Sequence, residues 1–176
     1  GRTGKMFVCE HFDVEPDMLV IGKGLGGGVF PMAALITNEN LDIVEDKALG
    51  HYTHEKSSVG CAAALATIDC LTEDGLLNNA VTLGKSGLEQ LEALKLKHPI
   101  IHEVRGLGLF YGIDLKLNNQ PASDQADAIL YHSLSNGLSY KVGGGSILTL
   151  CPPLIINNDE LTQAFSIIEN GINSLH

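Results

Sequence analysis

Positive charge is scarce in this sequence of 176 residues: 11 lysines and arginines face 21 aspartates and glutamates, giving a formal net charge of -10. Such a surface suits neither nucleic acid nor an anionic membrane, both of which require concentrated positive charge. Any phosphate the protein holds must therefore be held locally. Long apolar runs are also lacking. No stretch reaches the ~20 continuous apolar residues of a membrane span, and no basic-then-apolar leader opens the chain, so the reading is a cytoplasmic protein with no membrane partner. Cysteine is sparse: Cys9, Cys61, Cys70 and Cys151 form neither a CxxC pair nor a dense framework. That usage fits reduced, buried thiols better than disulfides. Repeats and low-complexity tracts are absent. What is present, 44% apolar and 18% charged residues, is the composition of a globular chain with one good core or two small ones.

The apolar run Met18–Ile21 leads into Gly22-Lys23-Gly24-Leu25-Gly26-Gly27-Gly28. This reads as a buried strand running out into a loop whose glycines permit positive φ. Pro31–Thr37 reads as a second strand, and Glu39–Lys47 as a short helix. Ser57 or Ser58 caps a helix over Val59–Leu71, Gly75 ends it, and a second amphipathic helix over Leu77–Leu96 follows; together these two bridge two domains. Ile101–Val104 and Gly108–Leu115 read as strands joined by a glycine turn. Asp124–Asn136 is a helix ended by Gly137, Ser146–Leu150 a strand stopped by Pro152-Pro153, and Asp159–Ile172 a terminal helix capped by Asn158. The chain opens at Gly1 without a methionine, within the turn-like run Gly1-Arg2-Thr3-Gly4. The expectation is that further sequence precedes it.

Lys23 carries the chemical argument. A lysine at a strand end among glycines is not where solvated lysines usually sit. An amine that attacks an aldehyde has to shed its proton, so its pKa must fall below the usual ~10.4, and desolvation supplies that shift. A Schiff-base lysine is the natural reading. A Walker-type phosphate loop needs Ser or Thr after Gly-Lys, and here Gly24 and Leu25 follow.

Three segments, Gly1-Arg-Thr-Gly-Lys-Met-Phe7, Pro16-Asp-Met-Leu-Val-Ile-Gly-Lys23 and Gly26-Gly-Gly-Val-Phe-Pro-Met-Ala-Ala34, closely resemble the pyridoxal-phosphate (PLP) attachment signature of the class III aminotransferases. The resemblance continues through Tyr52-Thr53-His54-Glu55, Val104-Arg-Gly-Leu-Gly-Leu109 and Pro152-Pro-Leu-Ile155. It implies an α/β type I PLP fold. On that pattern residues 1–76 are the later part of a cofactor-binding large domain with a mainly parallel sheet, together with the start of the linking helices. Residues 77–176 are a small α+β domain. The resemblance further implies a homodimer with active sites at the subunit interface, Lys23 bound covalently to PLP, and Thr53 reaching the cofactor phosphate of the neighbouring subunit, near a helix start that favours an anion. By the same pattern, the aspartate that pairs with the pyridine nitrogen lies just before Gly1, so the 176 residues alone are expected to be inactive. The family's Asn-Pro after this threonine is replaced here by Ser57-Ser58.

Other residues carry weaker signals. His51 and His54, with Glu55 nearby, lack the further ligands a metal site requires, so no metal is assigned. Arg105, before a glycine turn, can grip a substrate carboxylate through its planar fork or serve structurally. Many relatives place an arginine three residues before the Pro-Pro-Leu motif to hold the substrate α-carboxylate, and this chain has Thr149 there. Without that arginine the substrate is held otherwise or lacks the carboxylate. Thr53-His-Glu-Lys56, Gly137-Leu-Ser-Tyr-Lys141 and Leu148-Thr149-Leu150 also resemble a subgroup containing PLP lyases for amino-phosphono or amino-phosphate compounds, in which Lys141 meets the substrate anion. The leading expectation is an aminotransferase that moves an amino group from a small-molecule donor to a keto acid acceptor. A PLP lyase and a non-catalytic interaction module are the alternatives.

Overall fold

The computed structural model describes residues 1–41, 43, 44, 47, 50, 52 and 55–175. They form two compact units: Phe7–Gly75 is one, and Gly1–Met6 joins Leu76–His176 in the other. The boundary falls at Gly75, where φ of +72° is a left-handed conformation that suits glycine and ends a helix.

In the first unit, strand β1 (Met18–Ile21) pairs antiparallel with β2 (Ala34–Thr37), Ile21 opposite Ala34. These are the only strands among the unit's described residues. Helix α1 spans Ser58–Glu73, and its cap is Ser57, whose hydroxyl accepts the Gly60 N–H at 3.4 Å. Among the unit's described residues, full burial is confined to Gly26, Gly60 and Ala64. The expectation that β1 is buried is not met, since Val20 on it is 78% exposed: the alternation of a strand says that it can be covered, not what covers it. Of the helix expected over Glu39–Lys47, Glu39–Leu41 forms a 3-10 turn, residues 43, 44 and 47 are not helical, and residues 42, 45 and 46 lie outside the described residues. Asn38 Oδ1 accepts the Asn40 N–H at 3.0 Å, a local turn bond at the start of this 3-10 turn. The cysteines also depart from expectation, as Cys9 and Cys61 are half-buried while Cys70 and Cys151 are exposed.

The second unit has a substantial core. Helix α2 (Leu76–Lys97) buries Ala80, Leu83, Gly84, Gly87, Leu91 and Leu94, the stripe a 3.6-residue period dictates. It lies on a five-stranded sheet ordered β3 (Ile101–Gly106), β4 (Tyr111–Leu117), β7 (Ile147–Leu150) and β6 (Lys141–Gly143), with β5 (Gln120–Pro121) pairing with the far end of β4. Sequence reading missed the short β5 and β6. A register shift between Ile101 and Glu103 explains why Ile101 and Val104 both face the core although three residues apart. Two glycines allow close approach. A Cβ on Gly84 would lie 2.5 Å from Gly108 Cα, and one on Gly87 would lie 2.8 Å from Tyr111 Cζ. Tyr111, 1% exposed, donates its hydroxyl to the Leu83 carbonyl at 3.0 Å and meets the Phe165 ring edge-on, centroids 5.8 Å apart.

Helices α3 (Ser123–Ser135) and α4 (Asn158–Asn173) complete this core through Ile129, Leu161, Phe165 and Ile168. The cap of α4 is Asn157, not Asn158. Asn157 Oδ1 accepts the Glu160 N–H at 2.9 Å while a Glu160 carboxylate oxygen accepts the Asn157 N–H at 3.0 Å, a reciprocal capping box. The amino-terminal residues belong to this unit as well, since the Leu109 N–H donates to the Arg2 carbonyl at 2.9 Å.

Candidate functional site

Lys23 opens a 3-10 turn, Lys23–Gly26, at the end of β1. Its φ is +51°, a left-handed conformation uncommon for a residue with a side chain. The turn is closed by the Gly27 N–H on the Gly24 carbonyl at 2.9 Å, with Gly27 itself left-handed at +64°. Helix α1 holds this loop. A Cβ on Gly27 would come within 2.8 Å of Thr67 Oγ1, and one on Gly60 within 2.9 Å of the Phe30 ring, so both glycines are required for the loop to seat on the helix. Backbone strain of order 1–3 kcal/mol at a single residue persists only where surrounding contacts impose it, and such residues cluster at functional positions. The lysine side chain is exposed and the space beside Gly24 is open. The desolvation expected at this strand end is not met among the described residues, while a primary amine so placed is accessible to an aldehyde, as an imine-forming cofactor requires. Thr53, His51 and His54 lie outside the described residues.

The second constellation is on the solvent-facing side of the five-stranded sheet. Cross-strand partners stand side by side on one face. Arg105 pairs with Gly112, Gly112 with Thr149, and Thr149 with Lys141. The register therefore sets Arg105, Gly112, Thr149 and Lys141 in one row across four strands. Tyr111, Ile113, Leu148 and Leu150 point the other way, into the core. Arg105, Gly112 and Thr149 of this row line a cleft of about 460 Å³ together with Gly143 and Ile147, among others; Lys141 is not part of its lining. The Arg105 guanidinium is 3.3 Å from Glu103, an exposed pair of little worth. The sequence had singled out Arg105 for its place before a glycine turn, and Thr149 and Lys141 together through one resemblance. It gave no sign of Gly112 or of the strand carrying Lys141, because three residues before a run of glycines look like part of a turn.

Comparison with known proteins matches residues 1–172 to the family model "Aminotransferase class-III". The (R)-1-hydroxy-2-aminoethylphosphonate ammonia-lyase of Vibrio splendidus is 45% identical over 98% of this chain, which spans 36% of that relative. The solved acetylornithine aminotransferase of Elizabethkingia anophelis is 35% identical and superposes with a TM-score of 0.89, over 99% of this chain and 45% of that one. An amine transaminase from an uncultivated Pseudomonas species, solved in a PLP-bound form, is 29% identical with a TM-score of 0.88, over 98% of this chain and 42% of that one. The chain thus spans less than half the length of each of these proteins, with their α/β fold over the part it covers. No described helix is long and apolar enough to cross a membrane. The chain belongs to the class III aminotransferase family, whose members depend on PLP.

Proposed function

We propose that the full-length protein is a PLP-dependent lyase that releases ammonia from an amino compound carrying a phosphonate or phosphate group. Thr149 carries this reading. It stands where many relatives place the arginine that holds an α-carboxylate, and a hydroxyl in that position gives up the bidentate contact such substrates use. Likeness supports the same reading, since identity to the ammonia-lyase, at 45%, exceeds the 35% to the acetylornithine aminotransferase. Lys23 is the proposed attachment residue and Thr53 a proposed contact for the cofactor phosphate. The cofactor, when bound, supplies an electron sink for the carbon bearing the substrate's nitrogen.

Lys23 is then the base that takes the proton from that carbon once the substrate amine has displaced it. For a substrate with a hydroxyl on the adjacent carbon the balance closes. The C–H proton and the hydroxyl leave together as one water, and one water enters as the C–N bond is hydrolysed. Ammonia and an aldehyde are the products. A homodimer in the cytoplasm is part of the proposal.

The test incubates the full-length protein with PLP and 1-hydroxy-2-aminoethylphosphonate and follows ammonia. Borohydride reduction and peptide mapping then locate the cofactor. Stoichiometric ammonia, an adduct confined to Lys23, and no turnover in Lys23→Ala are expected. The second reading, an aminotransferase, is favoured by the family itself and predicts the opposite behaviour: the pyridoxamine form accumulates with an amino donor, and amino group appears on an added keto acid instead of as ammonia.

A further inference from the structure

We propose that Asn136-Gly137, at the end of α3, is a site of spontaneous covalent modification, where the asparagine is converted to aspartate and isoaspartate. The sequence contains two Asn-Gly pairs, Asn136-Gly137 and Asn170-Gly171. Glycine has no Cβ to shield its backbone nitrogen, so in either pair that nitrogen can reach the side-chain amide carbon of the preceding asparagine. The two pairs are alike in sequence, and the fold separates their fates.

Asn136 and Gly137 are both exposed, and a Cβ on Gly137 would meet nothing within 4 Å. Gly137, with φ of +86°, closes α3: its N–H donates to the Leu134 carbonyl at 3.1 Å and the Leu138 N–H donates to the Ser133 carbonyl at 2.9 Å. The Asn136 side chain is turned back over the last turn, where its nitrogen donates to the His132 carbonyl at 2.8 Å. These bonds hold the reacting atoms apart, but all of them belong to the last turn of a helix, where opening costs least. Asn170-Gly171 lies inside α4. Gly171 is buried, and a Cβ on it would stand 3.1 Å from Ile129 Cγ2 and 3.3 Å from His132 Cδ2. Bringing its nitrogen onto the Asn170 side chain requires unwinding α4 between the buried Ile168 and Ile172 and disturbing its packing against α3.

The reaction needs only water. In the opened turn the Gly137 nitrogen forms a bond to Asn136 Cγ, the bond from Cγ to Nδ2 breaks, and that nitrogen leaves as ammonia with the proton Gly137 gives up. The cyclic imide then takes up one water and opens at either carbonyl, giving aspartate or isoaspartate with no change of oxidation state. The new carboxylate stands where the carbonyls of a helix C-terminus project, and the His132 carbonyl that had accepted the amide now faces a negative group. The isoaspartate form also routes the main chain through the side chain, inserting a methylene into the connection from α3 to β6. That connection is fixed by the Leu138 N–H and by the contact between the Ser133 and Tyr140 hydroxyls at 3.2 Å, so both are loosened.

The experiment ages the full-length protein in warm neutral buffer without substrate, and in parallel in concentrated urea, and follows both asparagines by charge-resolving chromatography and peptide mapping by mass spectrometry. In the folded protein Asn136 should convert at least roughly tenfold faster than Asn170, whereas in urea the two should convert at comparable rates. Hydrogen exchange at the Gly137 and Leu138 amides should run ahead of that at Gly171. Asn136→Asp, which carries the product's charge without the main-chain change, should lower Tm by roughly 1–4 °C. Equal rates at the two asparagines in the folded protein, or conversion of Asn136 in urea with none in the folded protein, would overturn the site. An unmoved Tm in Asn136→Asp would overturn the loosening of the α3 end.

Discussion

Gly87 offers a quantitative test of the packing that supports the sheet. Glycine in a helix interior is about 1 kcal/mol worse than alanine, so on propensity alone Gly87→Ala, inside α2, stabilises. The structure predicts the opposite. The new Cβ would lie 2.8 Å from Tyr111 Cζ, nearer still to Tyr111 Oη, and 3.1 Å from Leu161 Cδ2. Tyr111 has no direction in which to retreat: its hydroxyl is tied to the Leu83 carbonyl and its ring is wedged against Phe165. Overpacking of this kind costs about 1–3 kcal/mol, and loss of the tyrosine's hydrogen bond adds about 1 kcal/mol. Set against the propensity gain, Gly87→Ala should lose about 1–3 kcal/mol, lowering Tm by roughly 2–4 °C for each kcal/mol. Tyr111→Phe removes the clashing oxygen, so the cost of Gly87→Ala should shrink by about 1 kcal/mol or more in that background. Thermal and urea unfolding of the four proteins in this cycle gives both numbers. A stabilised Gly87→Ala variant, or a strictly additive cycle, would refute the argument that Tyr111 fixes the helix-to-sheet distance.

Three further outcomes follow from the same unit. Burial pushes the Tyr111 hydroxyl from 10.0 up to about 12 and raises Tyr140 as well, with the Ser133 hydrogen bond opposing in the latter. A raised folded value means that the contribution is whole below the unfolded pKa and is lost as pH rises through the folded one; Tyr111 should thus account for roughly 2 kcal/mol of stability lost between about pH 10 and 12, a loss flattened in Tyr111→Phe when urea midpoints are compared across that window. At the acid end, Glu169 is lowered from 4.5 first by its hydrogen bond from His98 and then by Lys97, against desolvation. Its contribution is whole above pH 4.5 and is lost as pH falls through the depressed value, and because the group is near the surface it is under about 1 kcal/mol; Glu169→Gln should remove this acid-side slope in urea titrations. Asn157→Ala should cost about 1 kcal/mol by deleting the α4 cap, whereas Asn158→Ala, inside the first turn, should stay within about 0.5 kcal/mol in the same unfolding assay.

The sequence by itself determined the elements with strong local signals. The α2 stripe, the turn at Gly75, the hairpin of β3 and β4 and the glycine loop around Lys23 all follow from period, capping chemistry and glycine's access to positive φ. It erred where neighbouring residues competed for one local role, as Asn157 and Asn158 did for the α4 cap. Alternation marked β1 as apolar without saying whether anything lies over it. Tertiary structure alone decided what Arg105, Thr149 and Lys141 are to one another. They are separated by up to 44 residues, and only the order β3, β4, β7, β6 and the pairing register bring them into a row. A shift of one residue in any of these pairings would have sent part of the row into the core, because side chains alternate faces along a strand; that choice is enforced by burial of Tyr111, Ile113, Leu148 and Leu150 on the opposite face, which no local stretch of sequence specifies.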